Sequence, residues 1–355
     1  MMNGKMNKKQ AMIALCMMAL AIAPFAAGTQ TRAGKLAQQP QVSPSQNDNS
    51  PVMVGVLRAD GTLVPFAQYT NGTWWNPWTQ PIRDGGSQQL IPKSLSYPKK
   101  PWFQQNGRIP SKWYFWAAAD TPTVVKASEA VRTEIHTEVW GLMTDYPKGP
   151  VENINSHHHE NLGVALTVSQ KVNLMITLDP SSSEAKKLAW HIKLDFEQAE
   201  RDEIARINRE HKTDFGKQTI GILALTDEER GKVEVSITQL SRSEFRVNGA
   251  HFYYFAAKKE YKKPASSEDA SCNDVSIHQG WMTRDTDSSG SGFEERFSLT
   301  DCDNKGGVHV SPFSIVTIDN RTFLFVEEHG WEDEGYTIFE FNESGLNRVL
   351  ETPEG

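Results

Sequence analysis

The run SHHHEN at 156–161 is the densest histidine cluster in the chain. On an extended backbone His157 and His159 point to one side, and His158 and Glu160 to the other. Two imidazoles on one face suit zinc or copper, with His136 or Asp145 as a third ligand brought in by folding. The competing reading is a polar loop ahead of the strand expected at Gly163. His159-Glu160-Asn161-Leu162-Gly163 approaches the HExxH pattern of zinc proteases. It places Gly163 where the second histidine must face the same metal, so that chemistry is lost.

Two acidic turns form the second group. Asp285-Thr-Asp287-Ser-Ser-Gly290 and Asp301-Cys-Asp303-Asn-Lys-Gly306 both read Asp-x-Asp-x-x-Gly. Alternate carboxylates aimed into one concave turn are what calcium requires. Arg296 stands where an EF-hand needs its twelfth-position glutamate, and Lys305 puts a cation at the fifth position of the second turn. Calcium here implies a geometry other than the EF-hand, and the competing reading is two ordinary hairpin turns. No cofactor is expected beyond a zinc (or copper) ion at the histidines or calcium at the acidic turns.

Aromatic side chains form the third group. TNGTWWNPWTQP places Trp74, Trp75 and Trp78 within five positions, and six of the ten tryptophans lie between Trp74 and Trp116. Exposed indoles stack on sugar rings and make rigid contact surfaces. Irregular, proline-rich backbone can instead bury large rings to hold its shape. Adjacent residues of an extended segment face opposite sides, so at most one of Trp74 and Trp75 joins Trp78 on a given surface. Asn71-Gly72 reads as a turn, although Asn71, Asn320 and Asn342 all head glycosylation triplets.

Other enzyme signatures do not occur: there is no Gly-x-Ser-x-Gly elbow and no phosphate-cradling GxxxxGK[ST]. The first residues name a compartment instead. Lys5, Lys8 and Lys9 precede the apolar run 11–27, and small residues follow, which is the pattern of a cleaved secretory signal over 1–28. The run is short of the roughly 20 residues a membrane-spanning helix needs, and no other long apolar run follows it. A secreted or periplasmic location is therefore expected, with no transmembrane segment after signal removal.

Losing three lysines and no acid takes the formal charge from −7 to −10. That argues against nucleic acid and against anionic membranes as partners. Cys272 and Cys302 then remain, an even count that suits a disulfide in an oxidising compartment.

Residues 29–51 are rich in Gln, Pro, Ser and Asn and read as a disordered tether. Residues 52–355 read as a single domain. Val52, Val54 and Val56 alternate onto one face of a strand that turns at Asp60-Gly61 and returns through TLVPFAQY. Strands are also expected at 113–116, 134–142, 163–169, 171–178 and 233–240. A hairpin is expected on Asn248-Gly249, and a three-stranded meander turning at Asp319-Asn320 near the end. One long amphipathic helix is expected over 182–211, with a capping box between Ser181 and Glu184. Leu188, Ile192, Phe196, Ala199 and Ile207 make its buried stripe, and Glu197–Arg201 and Asp202–Arg206 its surface pairs. The fold class is α+β with β dominant, built of antiparallel hairpins that can close into a barrel- or propeller-like sheet.

The stretches GVLRADGTLVPFA (55–67), WGLMTDYP (140–147), YYFAAKKEY (253–261), ASCNDVSIHQGW (270–281), SLTDCD (298–303) and the tail from IVTIDNRTFLFV through GWEDEGYTIFEF resemble an uncharacterised family of exported bacterial proteins. The resemblance implies one integrated domain, fits a Cys272–Cys302 bridge and carries no activity. The expected function is an exported, non-catalytic binding or structural protein that contacts a glycan or another protein through Trp74, Trp75 and Trp78. The alternative is a secreted hydrolase with metal or carboxylate chemistry near His157, His159 and Glu160.

Overall fold

The computed structural model describes residues 51–76, 101–103, 108–117, 121–135, 137–148, 161–210, 221–262, 272–284, 291–300, 309–329, 334–342 and 345–352. They fall within one compact unit, Asn49–Gly355. The expected leader and nearly all of the expected tether lie outside the described residues. Antiparallel sheet dominates and one long helix is present, so the α+β, β-rich class is the observed one.

The first sheet contains β1 (Val52–Arg58), β2 (Thr62–Thr70), β3 (Thr73–Trp75), β4 (Lys112–Trp116), β5 (Thr123–Ile135), β6 (Thr137–Thr144) and β7 (Asn161–Leu166). Its order is β1-β7-β4-β5-β6-β2-β3, and β1 also pairs with β2, so six strands form a ring. On its other edge β2 pairs with β6 at its start and with β3 at its end. Ring closure gives each of the six strands a neighbour on both sides over part of its length, although β5 meets β4 only over 123–126 and β6 meets β2 only at Leu142 and Met143.

Alternation along β1 then has two buried destinations. Met53 and Leu57 pack inside the ring with Leu63, Trp113, Phe115 and Leu142. Val54 and Val56 face outward into a second core with Phe66, Phe323, Phe325 and Tyr336. The sequence places one valine face in the core; the structure buries both faces.

The second sheet has nine strands. They are β8 (Val172–Thr177), β9 (Ser236–Val247), β10 (Ala250–Tyr261), β11 (Asp274–Arg284), β12 (Ser291–Thr300), β13 (His309–Ile318), β14 (Arg321–His329), β15 (Glu334–Asn342) and β16 (Gly345–Glu351). The order is β12-β11-β10-β9-β8-β13-β14-β15-β16, antiparallel throughout, and the two end strands approach each other. Tyr254, Trp281, Val310, Leu324 and Phe339 pack together on one face of this sheet. On the other face β13–β15 carry the residues that meet the ring.

The helix α1 (Ser183–Glu210) covers the corresponding face of β9–β12. Leu188, Ile192 and Phe196 are buried there, each contributing roughly 1.5–3 kcal/mol by leaving water. The expected capping box is not formed. Ser182 is the cap, accepting from Ala185 N at 3.1 Å, while Ser181 donates to Asp179 and Glu184 reaches Arg242 and Tyr253. A capping box occurs instead at α2 (Asp227–Gly231), between Thr226 and Glu229. On its surface Glu197 pairs with Lys259, Arg201 donates to Gln198 at 2.9 Å, and Arg206 pairs with Glu203.

The turns follow the sequence closely. Asn71-Gly72, Asn248-Gly249 and Asp319-Asn320 all take two consecutive positive φ values, the geometry that matches the twist of two-residue hairpins. The strand expected at 134–142 is instead the end of a hairpin, in which Ile135 of β5 pairs with Thr137 of β6. The meander has four strands rather than three, β16 being added to β15.

Candidate functional site

The β2–β3 hairpin sorts the tryptophans. Trp74 and Trp75 point to opposite sides, as alternation requires. Trp74, one of the three expected contact residues, is 6% exposed and belongs to the core. Its ring packs 5.0 Å from Tyr69, 5.2 Å from Phe323 and 5.6 Å from Phe325. Trp75 is 45% exposed and meets Trp102 edge to face at 5.5 Å. Trp78 lies outside the described residues.

Trp75 is the cross-strand partner of Gln68, and Thr73 of Thr70. The Gln68 amide donates to the Thr70 hydroxyl at 3.0 Å. The outer face of the hairpin thus sets an indole beside an amide and two hydroxyls. Arg321 anchors the tip. Its guanidinium donates to the Gly72 carbonyl, pairs with both oxygens of Glu340 at 2.6 Å and lies over the Phe323 ring at 5.3 Å. The Glu340 hydrogen bonds hold Arg321 firmly protonated, above its ordinary pKa.

A second assembly sits where the ring meets β13–β15. His309, His329 and Glu334 are successive register partners across those strands, and Ser311, Glu327 and Tyr336 form the neighbouring row. From the ring come Arg58 and Asn161, themselves register partners in β1 and β7. Arg58 is fully buried; it pairs with Glu334 at 3.3 Å and donates to Thr133 at 3.1 Å. The Asn161 amide nitrogen donates to Glu327, to Glu334 at 3.4 Å and to the Tyr336 hydroxyl at 3.3 Å. Its carbonyl oxygen is buried with no hydrogen-bond partner among the described residues.

Protonation is finely divided in this assembly. Burial lowers the pKa of His309, and neighbouring His329 lowers it further. Burial also depresses His329, but the hydrogen bond and charge of Glu327, 3.0 Å away, with help from Glu334, more than offset this and leave it raised. Tyr336 is pushed well up by burial and by the Glu334 charge, so its hydroxyl stays a donor. Two carboxylates, two imidazoles, a phenol and a guanidinium therefore share one region, a set capable of acid–base work.

A third assembly fastens α1 to its sheet. Lys259 is fully buried, and its ammonium reaches Glu197 at 2.8 Å, Glu200 at 3.0 Å and the Arg230 carbonyl at 3.2 Å. Glu200 also accepts from Tyr261 at 2.5 Å and from Ser276 at 2.6 Å. Burial and the Glu200 interaction raise the Tyr261 pKa far above its usual range. Nearer the helix start, burial alone would raise Glu184, yet hydrogen bonds from Tyr253 and Arg242 hold it below the usual carboxylate value.

The expected metal ligands His157, His159, Asp285 and Asp287 lie outside the described residues, as do Glu160 and His136. Asp145, the other suggested third ligand, is occupied in accepting from the Lys126 backbone at 2.7 Å. Among the described residues no three His, Cys, Asp or Glu side chains are placed to hold a metal ion. Cys272 begins the segment leading into β11 while Cys302 lies outside the described residues, so the bridge stays a proposal.

Sequence reasoning missed Arg58, Asn161, Glu327, His329 and Glu334 as a group. Arg58 and Glu334 are 276 residues apart. The one local signal is Glu327 and His329, two apart on a strand and hence on one face. No family model, curated protein or solved structure matches the chain.

Proposed function

We propose that this is an exported binding protein that contacts glycan through the outer face of the β2–β3 hairpin. The observation that carries the reading is Trp75, half-exposed on a hairpin whose other face is core. An indole flanked by an amide and hydroxyls has both the apolar face and the donors a sugar ring needs. The Arg321 anchor fixes that surface in advance, which lowers the ordering cost of binding. Pull-down on peptidoglycan, chitin and cellulose particles tests it. Wild type binds at least one of them, and Trp75→Ala loses about 1–3 kcal/mol of affinity, the range for a stacking aromatic contact. A Trp75→Ala protein that binds as well as wild type removes the reading.

One observation favours the hydrolase alternative. The segment carrying His157, His159 and Glu160 runs directly into Asn161, whose side chain sits among Glu327, Glu334 and Tyr336. Hydrolysis of a polysaccharide by wild type that Glu327→Gln abolishes would establish it. No hydrolysis on any of the three polymers would discard it.

A further inference from the structure

We propose that the outward face of α1 is a docking surface for an anionic lipid bilayer. The helix buries Leu188, Ile192 and Phe196 against the sheet, so residues on the opposite side meet solvent. Two of those are large and apolar: Trp190 is 60% exposed and Leu194 51%. At i and i+4 they are neighbours on one face, one turn apart. α1 packs on β10, β11 and β12, and Trp190 and Leu194 belong to none of the core clusters.

The charge around this pair selects the occupant. Between Glu184 and Asp195 the helix carries Lys186, Lys187 and Lys193 and no acid, in a chain whose formal charge is −7. Lys186 and Lys187 are exposed, and Lys193 lies 3.1 Å from the exposed Glu234. The His191 ring meets the Trp190 ring edge to face at 4.7 Å. An exposed tryptophan and leucine with Lys186 and Lys187 one turn ahead of the indole is an arrangement found on helices that lie in the headgroup plane of anionic membranes. The indole reaches the acyl boundary while the lysine stems reach outward to phosphates.

Net charge argues against such a partner, but screening makes net charge the wrong quantity. At physiological salt fields fade within about 8 Å, so a bilayer meeting α1 at Trp190 senses Lys186 and Lys187 more than the net charge, while Glu234 offsets Lys193 and Asp195 follows Leu194. The helix need not detach to bind. Lys259–Glu200 holds its middle, and Glu184 with Arg242 and Tyr253 holds its start. Among the described residues no helix is long and apolar enough to cross a membrane, so the contact is peripheral.

Vesicle flotation with the mature protein tests this, comparing phosphatidylglycerol with phosphatidylcholine vesicles. Wild type floats with phosphatidylglycerol at least about tenfold better than with phosphatidylcholine. Trp190→Ser/Leu194→Ser and Lys186→Glu/Lys187→Glu each lower that binding by about tenfold or more, with unchanged melting curves because the altered residues are exposed. Equal binding to both lipids, no flotation, or variants that float like wild type overturn the proposal. So does a wild-type dimer in solution that the same variants dissociate, which would assign the face to a second copy of this chain.

Discussion

Lys259 beneath α1 and Arg58 between the two sheets are both withdrawn from water, yet their surroundings differ. The three donors of Lys259 meet three acceptors, and Glu200 receives hydrogen bonds from Lys259, Tyr261 and Ser276. That network is closed, with its partners supplied by one helix, the sheet it covers and the α2 backbone. Around Arg58 two glutamates share a single asparagine amide, an asparagine oxygen is buried without a partner among the described residues, and two adjacent histidines are shifted in opposite directions. A saturated network fastens one element to another. An unsaturated one with divided protonation responds to protons and to ligands.

Removing a partner from the closed network has the largest effect. Lys259→Met leaves Glu200 buried without a counter-charge and costs about 3–5 kcal/mol in urea unfolding. Adding Glu200→Leu restores most of that stability, because an apolar pair of similar volume needs no desolvation. A single variant costing under about 1 kcal/mol would erase the distinction drawn between the two regions.

Arg58→Met comes next, at about 3 kcal/mol. Asn161 and Tyr336 still donate to Glu334 in its absence, so the loss falls at the low end of the range for a broken buried pair. A loss exceeding that of Lys259→Met would mean the inter-sheet cluster, not the helix clamp, is the chief anchor.

The smallest effects depend on pH and sharpen the comparison most. His329 is raised in the fold, so its stabilisation is fully present below the unfolded value near 6.5 and is lost as pH climbs through the folded pKa. His329→Gln therefore lowers the melting midpoint more at pH 5.5 than at pH 8, roughly the two sides of that titration. His309 is depressed, so its protonation opposes folding, and stability falls as pH drops from the unfolded value toward the folded one. His309→Gln accordingly raises the midpoint at the acid end relative to wild type and has little effect at the alkaline end. Identical pH profiles for both histidine variants would refute the division of protonation.

Much of the fold was legible in local pattern. The Asn-Gly and Asp-Asn turns, the valine alternation of β1 and the 3.6-residue stripe of α1 each rest on the conformational limits of a few adjacent residues. β11 was harder to read because Ser276, His278, Gln279 and Thr283 are buried in it beside Val275 and Trp281, which blurs the apolar period. For the candidate site, alternation already required Trp74 and Trp75 to part company, but which of them faces water depended on Phe323 and Phe325 arriving from β14.

Steric and periodic rules acting over a few residues set the turns, the long helix, the β-rich class and the opposed faces of the tryptophan pair. Long-range strand pairing closes the first strands into a ring, which buries both faces of β1. That pairing alone brought Arg58, Asn161, Glu327, His329 and Glu334 together, because register between distant strands is set by the whole core. It also turned Trp190 and Leu194 outward among lysines, since the face a helix buries is fixed by the sheet it meets.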